Sequence, residues 1–231
     1  MGTGMIGMQW IIFIGIAVVS WLVQMNLQNK FKKYSKIPTG NGMTGADVAL
    51  KMLHDNGIYD VTVTHTPGHL TDHYNPANKT VNLSESVYSS NSIMAAAVAA
   101  HECGHAVQHA RAYAPLTMRS KLVPVVSFAS QWMTWLLLAG ILMLNSFPQL
   151  LLAGIILFAL TTLFSFITLP VEINASKRAL VWLSNSGITN SYNHAQAEDA
   201  LRSAALYVCS GCSRFACYLI YYIMIFMGRR D

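Results

Sequence analysis

The sequence predicts a mainly α, integral-membrane helical protein with three to four spans and a small β-hairpin or sheet, and three observations carry that prediction. Hydrophobic residues make up 53% of the 231 residues and charged residues 11%, less than half of the roughly 25% usual in soluble globular chains. Mean hydropathy is +0.38. Several runs carry no charge over the length a helix needs to cross the ~30 Å hydrocarbon core of a bilayer. This composition excludes a disordered chain and a protein that wraps nucleic acid. The net charge of +5, from 15 Lys+Arg against 10 Asp+Glu, reads as membrane topology.

The first uncharged run is Met5 to Val23. No basic residue precedes it, while Lys30, Lys32, Lys33 and Lys36 follow. That order is the reverse of a cleaved signal peptide, and the positive-inside rule places the downstream side in the cytoplasm. Leu122 to Leu144 is uncharged, with Pro124 tolerable in a first helical turn, and Leu150 to Leu169 is uncharged too. The intervening Asn145-Ser146-Phe147-Pro148-Gln149 suits a tight turn, so these two spans form a helical hairpin that returns the chain to the side it left. Phe215 to Met227 is apolar but short, and extending it back to Ala204 takes in Arg214; it is expected to span or to lie in the interface.

The polar stretch from Gln24 to Lys121 is the soluble half. Thr44-Gly45-Ala46-Asp47 resembles a capping box with Asp in place of Glu, opening a helix that ends near Asn56-Gly57. Val61 to Thr64 alternates like a strand, and Thr71 to Tyr74 with Thr80 to Leu83 flank a turn at Asn75 to Lys79. Ser92 can cap a long Ala-rich helix reaching about Ala110. A second polar patch runs from Glu172 to Arg202, with helical segments around Asn185-Ser186-Gly187. The four cysteines form no secreted disulfide pattern and read as buried thiols. The lone C-x-x-C of Cys209 and Cys212 is weak as a metal knuckle, having no second pair and no nearby His.

The Ser92 helix carries His101-Glu102-Cys103-Gly104-His105, an H-E-x-x-H. Two His at i and i+4 lie on one helical face, about 6 Å apart along the axis, so both imidazoles can reach one zinc at ~2.0 Å. The Glu between them lies beside the metal, placed to take a proton from the attacking water. The helix is therefore zincin-like. The small residues around the motif, Ala95 to Ala100 and Gly104, permit close approach of substrate or neighbouring backbone.

A catalytic zinc wants three protein ligands and an open position. His109 continues the stripe, but its Cα lies about 12 Å along the axis from that of His101, which suits a hydrogen-bonding or helix-end role. Glu occurs at four positions only, 85, 102, 172 and 198. Glu85 sits in a Ser-rich turn, and Glu198 beside Asp199 on a solvated helix face. Glu172 follows Leu169-Pro170-Val171 at the membrane exit of the third span, an expensive place for an unpaired charge. The hairpin brings it back to the side of His101 and His105, which makes it the expected third ligand.

Three segments now resemble a known family: Gly68-His69-Leu70-Thr71-Asp72-His73-Tyr74, Ala99-Ala100-His101-Glu102-Cys103-Gly104-His105-Ala106, and Leu169-Pro170-Val171-Glu172-Ile173-Asn174-Ala175-Ser176. Together they look like the YugP-type bacterial membrane zinc metallopeptidases, from the Thr44 helix to about Leu180. The resemblance implies an integral-membrane, gluzincin-like neutral metallopeptidase with zinc, its motif falling on His101 and His105, its general base on Glu102 and its third ligand on Glu172. The more distant heat-shock and prenyl-protein membrane peptidases have Asp four residues after that Glu, where this chain has Ser176. A ligating His passes its other ring N–H to an acceptor, so Asn174, Ser176 or a backbone carbonyl must serve. His73 or Tyr74, near the open zinc position, could stabilise an oxyanion; a strand with hydrogen-bonded polar side chains is the plainer reading. His65 and His69 fall on a loop.

The expected organisation is an N-terminal transmembrane helix at 1–24, a catalytic region at 25–121, a transmembrane hairpin at 122–170, a helical region with the third ligand at 171–203, and a transmembrane or interfacial helix at 204–231. The expected activity is zinc-dependent endopeptidase action on peptides or membrane proteins, with one Zn²⁺ per chain. The rival is a non-hydrolytic zinc-binding scaffold or transporter. Glu102 separates them, since binding alone needs no base there. Arg111, Arg119 and Lys121 precede the second span and Lys177 and Arg178 follow the third, so the site is expected on the cytoplasmic side of the cell membrane. Arg229 and Arg230 run against that rule if the fourth span is complete.

Overall fold

The computed structural model describes residues 3–190 and 192–228, with residues 3–12 as backbone. In chain order the elements are α1 (Thr3–Tyr34), α2 (Gly45–Asp55), β1 (Thr62–Thr66), β2 (His73–Asn75), β3 (Thr80–Ser84), α3 (Glu85–Tyr88), α4 (Ile93–Ala110), α5 (Ala114–Leu142), α6 (Pro148–Asn185) and α7 (His194–Met227). They fall into two compact units. One comprises Met1–Tyr113 with Val171–Tyr207, the other Ala114–Pro170 with Val208–Asp231.

Local signals start the helices of the first unit. The Thr44 hydroxyl accepts from the Asp47 N–H and the Asp47 carboxylate accepts from the Thr44 N–H, so the capping box with Asp is formed. The helix stops at Asn56, with Gly57 at φ +73°. Ser92 caps α4 by accepting from the Ala95 N–H. Val48, Ala49, Met52 and Leu53 of α2 pack on the alanine face of α4, together with Ala179 and Leu183 of α6 and Ala197 and Leu201 of α7. The sheet order is β1-β3-β2: β1 pairs parallel with β3, and β2 pairs antiparallel with it. The β2–β3 connection is the expected hairpin, its turn held by Asn75 Oδ1 accepting from the Ala77 N–H. Asp72 fastens the start of β2 to the end of β3, taking both the N–H and the hydroxyl of Ser84.

The second unit contains a helical hairpin. A Cβ on Gly140 of α5 would lie 2.5 Å from the Leu151 Cα, and one on Gly154 of α6 would lie 3.0 Å from the Leu137 nitrogen. Glycine is needed at both places because the two backbones touch. Phe215, Tyr218, Leu219 and Tyr222 of α7 pack against the cluster of Leu137, Leu151, Ile155 and Phe158.

Several details differ from the sequence reading. Pro124 lies well inside α5, which begins at Ala114, and Pro170 lies inside α6. Apolar surroundings offer the backbone groups freed by proline no competing solvent, so the helix continues around them. The segment after Pro170 is the same helix as the third expected span. Cys103 and Cys212 are buried, but Cys209 and Cys217 are exposed on α7. Among the described residues, α5, α6 and α7 are long and apolar enough to cross a membrane. The first expected span, Met5 to Val23, is helical within α1; its side chains up to Ile12 lie outside the described residues.

Candidate metal centre

α4 and α6 meet at Gly104. A Cβ there would lie 2.7 Å from the Ala175 carbonyl oxygen, so the bare glycine backbone lets the two helices come into direct contact. His101 and Glu172 stand one turn before this contact on their helices, and His105 directly follows Gly104. Nε2 of His101 and Nε2 of His105 each lie 3.3 Å from Oε2 of Glu172, and the three ligand atoms fall within 4.8 Å of one another. Ligands at zinc-bond length from a tetrahedral centre stand roughly 3.3–3.4 Å apart, which matches both imidazole–carboxylate distances. An N, N, O donor set with limited exposure is also the chemistry of a zinc site with an open position.

Both imidazoles are held from behind. Ser176 Oγ lies 3.1 Å from Nδ1 of His101. Nδ1 of His105 lies 3.0 Å from Oε1 of Gln108, and Nε2 of Gln108 donates to the Val171 carbonyl at 2.9 Å and to Asn174 Oδ1 at 3.0 Å. A carbonyl can only accept, so the Gln108 amide is oriented with its oxygen toward His105. In its neutral form His105 therefore keeps its proton on Nδ1 and leaves Nε2 for a metal, the tautomer that binds one. Arg178 Nε donates to the same Asn174 oxygen at 2.7 Å.

Electrostatics follow from the contacts. Burial alone would push the Glu172 carboxyl up, but the two imidazoles bonded to it override that and hold it well below the usual carboxylate range. Burial alone would pull His105 down; its contact with Glu172, the charge of Glu102 and the Gln108 bond instead leave it above its ordinary value. The Cys103 thiol inside the motif is fully buried and pushed up by that burial, so it is an inert neighbour.

Glu102 Oε2 accepts from the backbone N–H of Tyr74 at 3.0 Å. Edge strand β2 thus touches the motif through its main chain. The Tyr74 hydroxyl points elsewhere, 3.1 Å from Nδ1 of His109, which gives His109 a hydrogen-bonding role. His73 has its Nδ1 2.8 Å from the Thr71 carbonyl and its Nε2 3.3 Å from the Asn82 amide. Glu85 pairs with His65 at 2.6 Å, Glu198 is exposed, and His69 packs on Phe31. The structure thus brings His101, His105, Glu172 and Ser176 together, sets Glu102 and Tyr74 beside each other, and reaches Asn174 through Gln108. Sequence reasoning missed Gln108. Its one signal was a polar residue three positions after His105, on the same face of α4.

A family model described as "Putative neutral zinc metallopeptidase" matches residues 9–227. The chain is 42% identical over 222 residues to "Putative membrane protease YugP" of Bacillus subtilis (strain 168), covering 95% of this chain and 98% of that protein. No solved structure matches. The three long apolar helices and the likeness to a protein so named make this a membrane protein. With the family model covering nearly the whole sequence, the H-E-x-x-H and Glu172 included, the chain belongs to the neutral zinc metallopeptidase family.

Proposed function

We propose that this chain is a membrane-embedded zinc endopeptidase with one metal per chain, held by His101, His105 and Glu172, and with Glu102 as general base. The observation that carries the reading is the equal 3.3 Å approach of both motif imidazoles to one Glu172 oxygen. Zinc, when bound, supplies a Lewis acid that makes water a nucleophile at neutral pH and polarises a carbonyl. The chain's own residues do the rest. Ser176 and Gln108 hold the imidazoles in place. Tyr74 ties down one oxygen of Glu102, leaving the other to take a proton from water and to return it to the departing amine. In this reading Tyr74 serves the site through its backbone, and Asn174 and Ser176 orient ligands. Peptides or membrane proteins are the substrates, since β2 offers an extended edge beside the base.

The basic residues that flank the apolar runs, Lys30 to Lys36, then Arg111 to Lys121, then Lys177 and Arg178, support a site on the cytoplasmic face of the cell membrane.

The test is casein degradation by the purified chain with and without chelator, paired with zinc retention after dialysis. Chelator should abolish degradation and added zinc restore it. Glu172→Ala should lose the metal and His109→Ala keep it. The reverse pattern would remove Glu172 from the site, and metal retained without any hydrolysis would favour a scaffold or transporter.

A further inference from the structure

An open cavity of about 350 Å³, mostly apolar but with two cations on its wall, lies in the same unit, between α2, α4 and the C-terminal part of α6. Lys177, Arg178 and Asn185 supply its polar wall, and Met52, Val181 and Trp182 its apolar one. We propose that this cavity binds a phosphate-bearing anion, either the headgroup of an acidic phospholipid or free phosphate.

The charge balance is the first argument. Lys177 and Arg178 are adjacent cations, and among the described residues neither forms an ion pair with a carboxylate. The nearby acid is Asp55, which accepts from the Trp182 indole at 3.1 Å and is already paired with Lys51 at 3.0 Å. Its charge is compensated locally, so the cavity keeps a positive excess.

Preorganisation is the second. Arg178 has its Nε committed to Asn174 at 2.7 Å, and its guanidinium sits 6.0 Å over the Tyr113 ring. The group is therefore fixed before any ligand arrives, with its terminal nitrogens left to make the bidentate contact that phosphate accepts. Asn185 adds an amide. The apolar wall would cover the carbon atoms next to a phosphodiester, which an inorganic anion lacks.

Position along the chain is the third. Lys177 and Arg178 are the first basic residues after the uncharged run that ends at Leu169, the sequence setting in which cations beside a span meet acidic headgroups.

The experiment uses the full chain in a neutral detergent. Native mass spectrometry measures retention of dioleoyl-phosphatidylglycerol against dioleoyl-phosphatidylcholine, and the thermal midpoint is read with and without inorganic phosphate. Wild type should retain phosphatidylglycerol preferentially, and Lys177→Glu, at an exposed position, should weaken that retention about fivefold or more. Lys177→Ala should act in the same direction by less, and Lys36→Glu, outside the cavity, should leave retention unchanged. A midpoint raised by phosphate in wild type and not in Lys177→Glu assigns the site to the free anion; preference for phosphatidylglycerol without a phosphate effect assigns it to lipid. No preference together with no phosphate effect overturns the proposal. So does an equal loss of retention in Lys36→Glu, which would mean general surface attraction.

Discussion

Gln108 has no exposed surface, and its side-chain oxygen accepts the Nδ1 proton of His105 at 3.0 Å. The same amide donates to the carbonyl of Val171, the residue before Glu172. One buried side chain thus ties a motif histidine to the helix turn that carries the carboxylate. Gln108→Leu keeps the volume but strands a buried imidazole N–H and a carbonyl, at about 1–3 kcal/mol. Loss of such a partner typically weakens metal binding 10–100-fold, by the general behaviour of groups that orient ligands. Titration of the variant against a competing chelator should show that weakening; unchanged affinity would contradict it.

The Gly104 contact gives a second prediction. Gly104→Ala puts a methyl 2.7 Å from the Ala175 carbonyl, and both partners are helix backbone. α4 and α6 must separate, lowering stability by roughly 1–3 kcal/mol and pulling Glu172 away from the imidazoles. Gly211→Ala, where nothing lies within 4 Å, should be neutral or slightly stabilising. Thermal melts and zinc content of the two variants check this, and equal behaviour would contradict it.

Much of this was legible from local signals. The Thr44 box, the Ser92 cap and the H-E-x-x-H spacing are written in neighbouring residues, so the helices that carry the site could be placed from the chain alone. Glu172 was legible because a lone carboxylate at a span end needs a partner. Gln108 was not, because its role exists only where α4 meets Val171 and Asn174 of α6. Nor was the Tyr74 contact with Glu102, since a backbone N–H leaves no trace in residue identity. The oxyanion role weighed for His73 and Tyr74 rested on residue type; the hydroxyl of Tyr74 is turned to His109 and both ring nitrogens of His73 face Thr71 and Asn82. Pro124 misled because proline suits a first helical turn, whereas α5 begins ten residues earlier, at Ala114, and runs through it.

Metal-free protein should have a pH optimum of stability on the acid side of neutral. Glu172, held low by the imidazoles, contributes stability that is present above the unfolded carboxylate value and lost as pH falls through its depressed one. His105, held high, contributes stability that is present below about pH 6.5 and lost as pH rises through its raised value. Zinc displaces that proton, so its affinity should climb with pH. Melts of chelator-stripped wild type and His105→Ala across pH 4–8 would show it; parallel profiles would contradict the coupling.

Sidedness is open to cysteine labelling in intact cells, with the four native cysteines replaced. A cysteine at Lys36 should stay protected from an impermeant maleimide and one at Gln149 should react. The opposite labelling would place the metal centre on the outer face.

The proposed function divides labour within the motif, with His101 and His105 to hold the metal and Glu102 to move the proton. Glu102→Gln keeps an oxygen for the Tyr74 N–H and removes only the ability to accept a proton. Zinc content and casein hydrolysis should therefore be measured on the same preparation of this variant. The account predicts one zinc per chain, as in wild type, with hydrolysis reduced by about 10²-fold or more. Zinc content and hydrolysis both at the wild-type level would contradict it.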